Sequence, residues 1–438
     1  MHCMTRICAA FLAALTAMPS ALAQDIRPPT DLETARVLPR NIRNPRFKTL
    51  FTNIDGRYDS RGVAEPLAAK LNKTVTFSDV INARETEYER NEIRGLLANA
   101  GLNETDSPGF TTGDISVGAT VLAPVLAWGF TDWWTSAVAV PIYFISIKAA
   151  SGFVASPESQ KFITEVEKSG PDKANEAVEK LNNAINDKLA RLQYQPLENK
   201  NFTALSDIRL VNKFRVLQAT TGSFDHTLSL KAETTLPTGQ VQSPDDLLAI
   251  PVGDGQWDIG AGIAFDETLA IRSDMSREDM TGLTFNADLR WNVHAGYVAQ
   301  LPATAAVRLP TSANDSTSAD KENVWRDFGD IIQAGTSLTL DLMGTGFTLG
   351  AGYMYQYMTR TTVSNGSYAE FRYRLLEEQF PERDLHSGIL MAGFSTLDYF
   401  RAKKFPIPFQ ANITYTAPLA GRQSTTNSMF QAELVMFF

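Results

Sequence analysis

Cysteine is almost missing from this chain of 438 residues: there are two, Cys3 and Cys8, both near the amino terminus. Beyond them there is no thiol, so disulfide scaffolds and cysteine chemistry are excluded. Histidine is scarce as well, four in all, and no His/Cys/Asp/Glu series has metal-ligand spacing. Basic runs are absent. With 40 Lys and Arg against 49 Asp and Glu the formal net charge is −9, which argues against nucleic acid as a partner. No glycine loop of the nucleotide-binding kind and no nucleophile elbow occurs. Long uninterrupted apolar runs are also lacking. The one stretch that approaches a helical span, Ile115 to Ile147, is broken by Pro124, Gly129, Asp132 and Pro141, and reads as two strands with a tight turn between them.

What the chain does contain is alternation. Phe430, Ala432, Leu434, Met436 and Phe438 form one row at its end, with Gln431 and Glu433 on the other, the period of a strand with one apolar and one wet face. At the opposite end Arg6, an apolar stretch from Cys8 to Met18 and Ala21-Leu22-Ala23 make a secretory signal over residues 1–23, with cleavage before Gln24. A secreted chain ending in an aromatic-terminated amphipathic strand points to the outer membrane of a Gram-negative bacterium. It is expected to meet outer-membrane lipid, and to engage the barrel-assembly machinery through Phe438.

Twelve strands are predicted: Pro45 to Asp55, Asp114 to Val125, Thr135 to Ile147, Asp207 to Val216, Thr227 to Leu236, Trp257 to Asp266, Leu283 to His294, Ile331 to Leu342, Phe347 to Met358, His386 to Tyr399, Pro406 to Ala417 and Met429 to Phe438. Long and short links alternate between them. The expected fold is all-β, a transmembrane antiparallel barrel of about twelve strands occupying 45–438, with the apolar rows toward lipid and the polar rows toward a lumen. Residues 24–44, irregular and dotted with Pro and Arg, are expected to be a periplasmic lead. Helical insertions are expected in long extracellular loops at about 56–112 and 150–205. The first carries a helix around Phe77 to Ala98 capped at Ser78 or Asp79; the second starts at Ser156-Pro157 and includes a longer helix over Asp172 to Leu192. The WGFTDWW sequence, Trp128 to Trp134, reads as a periplasmic turn in an interfacial girdle.

The polar rows nominate the lumen lining: Arg209, Lys213, Arg215, Lys231, Glu233, Asp258, Asp288, Arg290, His294, Asp341 and Glu433, with Asp207 and Asp266 beside them. Both signs are present, whereas a pore selecting one charge would carry a ladder of one sign. Catalysis is not expected. A Ser–His nucleophile pair would need the two residues close on one strand face, and none of His226, His294 and His386 has that arrangement. Two Asp-bearing loops, Asp245-Asp246 with Asp254 and Asp315 with Asp320, lack the spaced oxygen series of a calcium site. No cofactor is implied.

Several phrases carry a family likeness: GFTDWWTSAVAVPI (Gly129 to Ile142), DIRLVNKFRVL (Asp207 to Leu217), LPTG (Leu236 to Gly239) followed by GDGQWDIGAGIA (Gly253 to Ala264), and PLAGR (Pro418 to Arg422). Together the chain resembles the meta-pathway phenol-degradation-like outer-membrane proteins, akin to FadL-type transporters. That resemblance implies a barrel for passive uptake of small hydrophobic or aromatic solutes. The FadL-type amino-terminal hatch signature is not present, so any plug is expected from Gly56 to Thr112. The alternative function is a structural or surface-interaction barrel with a closed lumen.

Overall fold

The structure, a computed structural model, describes residues 31–69, 72–82, 86–168, 189–241, 243–250, 252–272, 286–312 and 317–438. The signal segment and most of the helix expected over Asp172 to Leu192 lie outside the described residues; that helix's last turn, 189–191, is helical. No described helix is long and apolar enough to cross a membrane.

Twelve antiparallel strands close on themselves. They are β1 (Arg43–Ile54), β2 (Gly109–Thr131), β3 (Trp134–Ala139 continued by Ile142–Ala155), β4 (Lys200–Leu205 continued by Ile208–Thr221), β5 (Phe224–Leu236), β6 (Asp258–Arg272), β7 (Asn286–Gln300), β8 (Ile331–Leu342), β9 (Phe347–Met358), β10 (Arg383–Ser395), β11 (Phe409–Arg422) and β12 (Met429–Met436). Each pairs with its sequence neighbours, and β1 pairs with both β12 and β2, so no edge is left open. Phe438 adds a last reciprocal pair to this seam: Arg43 and Phe438 exchange backbone hydrogen bonds of 2.9 and 3.0 Å.

The breaks within β3 and β4 have one cause. Pro141 has no N–H to give the ladder. Val140 N–H bonds to the Pro124 carbonyl and Ser206 N–H to the Pro141 carbonyl, so the strands bend without separating. Beyond the bend, β2, β3 and β4 continue as a ribbon above the end of β1.

Over most of the wall the apolar row faces outward. Phe47, Phe51, Ile259, Ile263, Trp291, Val293, Leu338, Leu349, Ile413, Phe430 and Leu434 are exposed, while their polar neighbours Ser229, Asp266, Asn292, Thr339, Thr414 and Gln431 are buried. A closed barrel wearing its hydrophobic residues on the outside is an outer-membrane barrel, and the lipid satisfies what water cannot. Trp128, Phe130, Trp134 and Phe214 form a near-parallel stack at the end with the short turns, with successive centroids 4.7–6.0 Å apart. The cluster lies where the sequence led one to expect an interfacial aromatic girdle.

The outer part of β2 and β3 reverses the expected rule. Ile115, Val117, Ile145 and Ile147 face inward and are buried under Ala68, Leu248 and Val252 from two extracellular loops, while Ser116, Gly118 and Thr120 face outward. A strand pattern marks two faces but not which solvent each one meets. Here the loops fold back and supply an apolar lining, each buried Ile or Val contributing about 1.5–3 kcal/mol.

The loops hold two further cores. α1 (Phe77–Asn82), α2 (Glu87–Ala100) and α3 (Pro157–Glu167) pack around Phe77, Ile81, Ile93, Leu97 and Phe162. The expected single helix is therefore two. The caps are Thr76 and Thr86, not Ser78 or Asp79: Asp79 N–H donates to Thr76 Oγ1, and Thr86 with Glu89 forms a reciprocal capping box. Ser156 and Pro157 start α3 as expected. A three-stranded sheet (Ala303–Arg308, Lys321–Asp327, Thr362–Ser364) and α4 (Glu370–Glu377) enclose the other core, around Leu309, Val324, Leu376 and Phe380.

Candidate functional site: a lumen crossed by an amino-terminal strap

A barrel of twelve strands is too wide for wall side chains alone to fill. In this one the interior is occupied by the segment expected to hang in the periplasm. Residues 31–42 enter the lumen and cross it before turning into β1. This differs, over residues 31–38, from the expectation of a periplasmic lead over 24–44, while 39–42 run past the turn that follows β2; it also differs from the expectation that any plug would come from Gly56 to Thr112. Pro- and Arg-dotted sequence without periodicity carries no sign of where it lies; only the wall around it does.

The strap touches both halves of the barrel. Asp31 pairs with Lys48 of β1 and accepts a 3.1 Å hydrogen bond from Gln431 of β12. Leu32 packs onto Gly350 and Gly352 of β9, where a Cβ at either position would stand 2.5–2.7 Å from its methyl groups. Glu33 Oε1 lies 2.5 Å from Lys213 Nζ of β4, and Glu33 Oε2 lies 3.7 Å from Lys231 Nζ of β5. Lys213 also donates to the Thr34 carbonyl (2.6 Å). Thr34 Oγ1 donates to Asp266 of β6 (2.6 Å), and Ser229 donates to the carbonyl of Ala35, which is fully buried. Leu38 N–H then reaches Thr135 of β3 (2.7 Å), Arg40 N–H reaches Asp132 in the turn after β2, and Asn41 N–H reaches the Gly129 carbonyl.

Electrostatics explains the central contact. Lys213 and Lys231 stand directly opposite each other in the β4–β5 register. Like charges across a strand pair destabilise it, by about 3 kcal/mol at a separation of about 5 Å and an effective dielectric of about 20. Glu33 resolves that conflict from outside the sheet. Burial works against its charged form, but Lys213 and then Lys231 outweigh burial and hold the carboxyl at about 2. Glu33 sits on the strap, outside the spanning strands. Among the described residues Lys213 has no other carboxylate partner, whereas Lys231 also has Glu233 at 3.4 Å.

The remaining candidate residues fall into separate groups. Glu433 accepts from Asn412 (3.0 Å) and lies 3.8 Å from both Lys48 and Arg46. Asp288 and Asp341 face each other in register, and Asp341 accepts from Thr348. Arg290 lies on the same inward row as Asp288, opposite Thr339. His294 is buried, with Nδ1 2.8 Å from Asn292 Oδ1, and Asn292 in turn donates to Asp266 (2.6 Å). Asp258 is near the extracellular end, where Gln300 donates to it. Arg209 and Arg215 share the register parity of Lys213, and neither has an ion pair with a described residue. Asp207 is buried and anchors a loop by accepting from Gly239 N–H (2.8 Å). Sequence reading missed Asp31, Glu33, Thr34 and Lys48, and it placed Gln431 on the wet row of the last strand without a role. The one available signal was the lysine pair, since two like charges in adjacent strands imply a missing anion.

At the extracellular end the loops are latched by buried arginines. Arg308 donates to Asp245, to the Leu192, Gln193 and Ser318 carbonyls, and lies over the Tyr194 ring. Arg372 joins Asp320 to the Leu309 and Pro310 carbonyls. Asp245 is thus the shared partner of Arg308 and Lys321, and no cluster of three or more metal-binding side chains occurs among the described residues.

No protein-family model matches the sequence, and no curated protein matches it. Solved structures similar to it include an outer-membrane channel from Pseudomonas putida, 10% identical, covering 94% of this chain and 100% of that one at a TM-score of 0.48. A mutant of the monoaromatic hydrocarbon channel TodX is 9% identical, with 91% of each chain covered and a TM-score of 0.26. A FadL homologue from Pseudomonas aeruginosa is 8% identical, with 91% of this chain and 90% of that one covered and a TM-score of 0.27. The barrel assignment itself stands on the strand register.

Proposed function

We propose that this protein is a channel for passive entry of small solutes, hydrophobic or aromatic in the main, across the outer membrane, and that the strap of residues 31–42 is its plug. The observation that carries the reading is the way the lumen is filled. A wall built only for support would be packed by its own side chains. Here a separate segment is held across a polar lumen by ion pairs and hydrogen bonds, all of which can be exchanged for water or solute. The apolar seat for Leu32 and the inward Met354, Ile389 and Met391 give a route for a solute that is not fully polar.

Single-channel conductance in planar bilayers tests it. Deletion of residues 24–42 is expected to raise conductance several-fold over the intact protein. Absence of current in both forms would defeat the channel reading and favour a closed barrel whose latched loops bind partners.

A further inference from the structure

The wall of this barrel carries a binding site that its own chain occupies. Lys213 and Lys231 face each other without an anion of the wall shared between them, and Glu233 reaches only Lys231. The carboxylate that bridges them is Glu33, from the strap. One residue earlier, Leu32 fills the depression at Gly350 and Gly352, with the Met391 side chain at its margin. An apolar group in one seat and a carboxylate on two lysines is the outline of a small amphiphilic acid.

We infer that Leu32 and Glu33 are a built-in stand-in for the solute, and that the dilysine pair with the glycine seat binds small amphiphilic carboxylates, which compete with the strap and release it. The assignment deepens the channel reading and rests on it for the route that the acid takes, while the binding itself can be observed without conduction.

The neighbouring charges fit one monoanion and disfavour a dianion. Glu233 lies beside Lys231, and Asp266, held by Asn292 and Thr34, lies beyond. A second negative charge would meet those carboxylates. A neutral solute of the same shape would fill the seat but leave Lys213 without an anion, a buried charge stripped of its partner, and leave Lys231 only Glu233. Competition with Glu33 also makes uptake self-timed, since the plug yields where the solute is present.

Residues 24–438 contain no cysteine, so Arg36→Cys places a single nitroxide on an exposed residue of the strap. Phenylpropionate titrated into the folded barrel of residues 24–438 is expected to mobilise that label. The neutral phenylpropionamide, and sodium chloride at equal ionic strength, are expected to leave it immobile. With Lys213→Met and Lys231→Met together, Glu33 loses both partners and the label should be mobile without acid, while phenylpropionate binding followed by calorimetry should be lost, or moved to concentrations about 10- to 100-fold higher, as for removal of a charge-assisted contact. Glu33→Gln should leave the label mobile without any acid. Equal release by the amide or by chloride would overturn the proposal, as would unchanged phenylpropionate binding in the lysine variant. Release of the label by the acid in a barrel that passes no current would retain the binding site and refute the channel reading alone.

Discussion

At the scale of single residues, Glu33 sets the behaviour of the plug. Its carboxyl, ordinarily near 4.5, is held at about 2. A carboxylate depressed on docking contributes stability that is complete above its free value and disappears as pH falls through the docked one. The nitroxide at position 36 is therefore expected to stay immobile from neutral pH to about 4.5 and to gain mobility progressively toward about 2. The groups facing Glu33 are Lys213, Lys231, Glu233, Asp266 and His294. A cation at His294 would stand beside the carboxylate and so would not release the strap. Gly350 is the second deciding residue. Gly350→Leu places a side chain where Leu32 sits, and the strap should be displaced, raising conductance toward that of the deletion form.

Among the elements, the extracellular loops are held by a few buried arginines. Arg308 draws together residues 192–194, Asp245 and Ser318, from three different loops, and it is 6% exposed. Truncating one partner of such a pair leaves the other charged groups buried without compensation, at a cost of about 3–5 kcal/mol. Arg308→Ala should therefore speed limited proteolysis at the loops, while the barrel keeps its faster migration in unheated gels. The helical knob of α1–α3 depends on its caps in a smaller way. Thr86→Ala removes the capping box and is expected to cost about 1 kcal/mol, visible as earlier amide exchange over residues 87–100.

Taken whole, the molecule is organised by where its apolar residues find company. A lipid-facing arginine costs about 2–4 kcal/mol at the bilayer midplane, so Leu434→Arg should lower unfolding stability in lipid vesicles by that order. Thr414→Asn, on the inward row of the adjacent strand, should not do so. Phe438 is 65% exposed and completes the seam with Arg43. Its removal is expected to reduce the yield of assembled barrel in cells, if, as we propose, this residue is what the barrel-assembly machinery reads.

Strand number, strand order and the alternation of long and short links were legible in the sequence because each follows from a period of two and from turn chemistry, both local properties. The lumen rows were legible for the same reason: Lys213, Lys231, Asp288 and Glu433 alternate with residues that meet lipid. What only the tertiary structure decided is what each face touches. Ile115 and Val117 look inward because loops from elsewhere cover them, and Leu32 and Glu33 lie in the lumen because glycines and lysines about 180 to 320 residues further on leave a space and a charge for them. Local pattern determines that a wall has two sides. Only long-range packing determines what fills the inside, and in this barrel it is the chain's own amino-terminal segment.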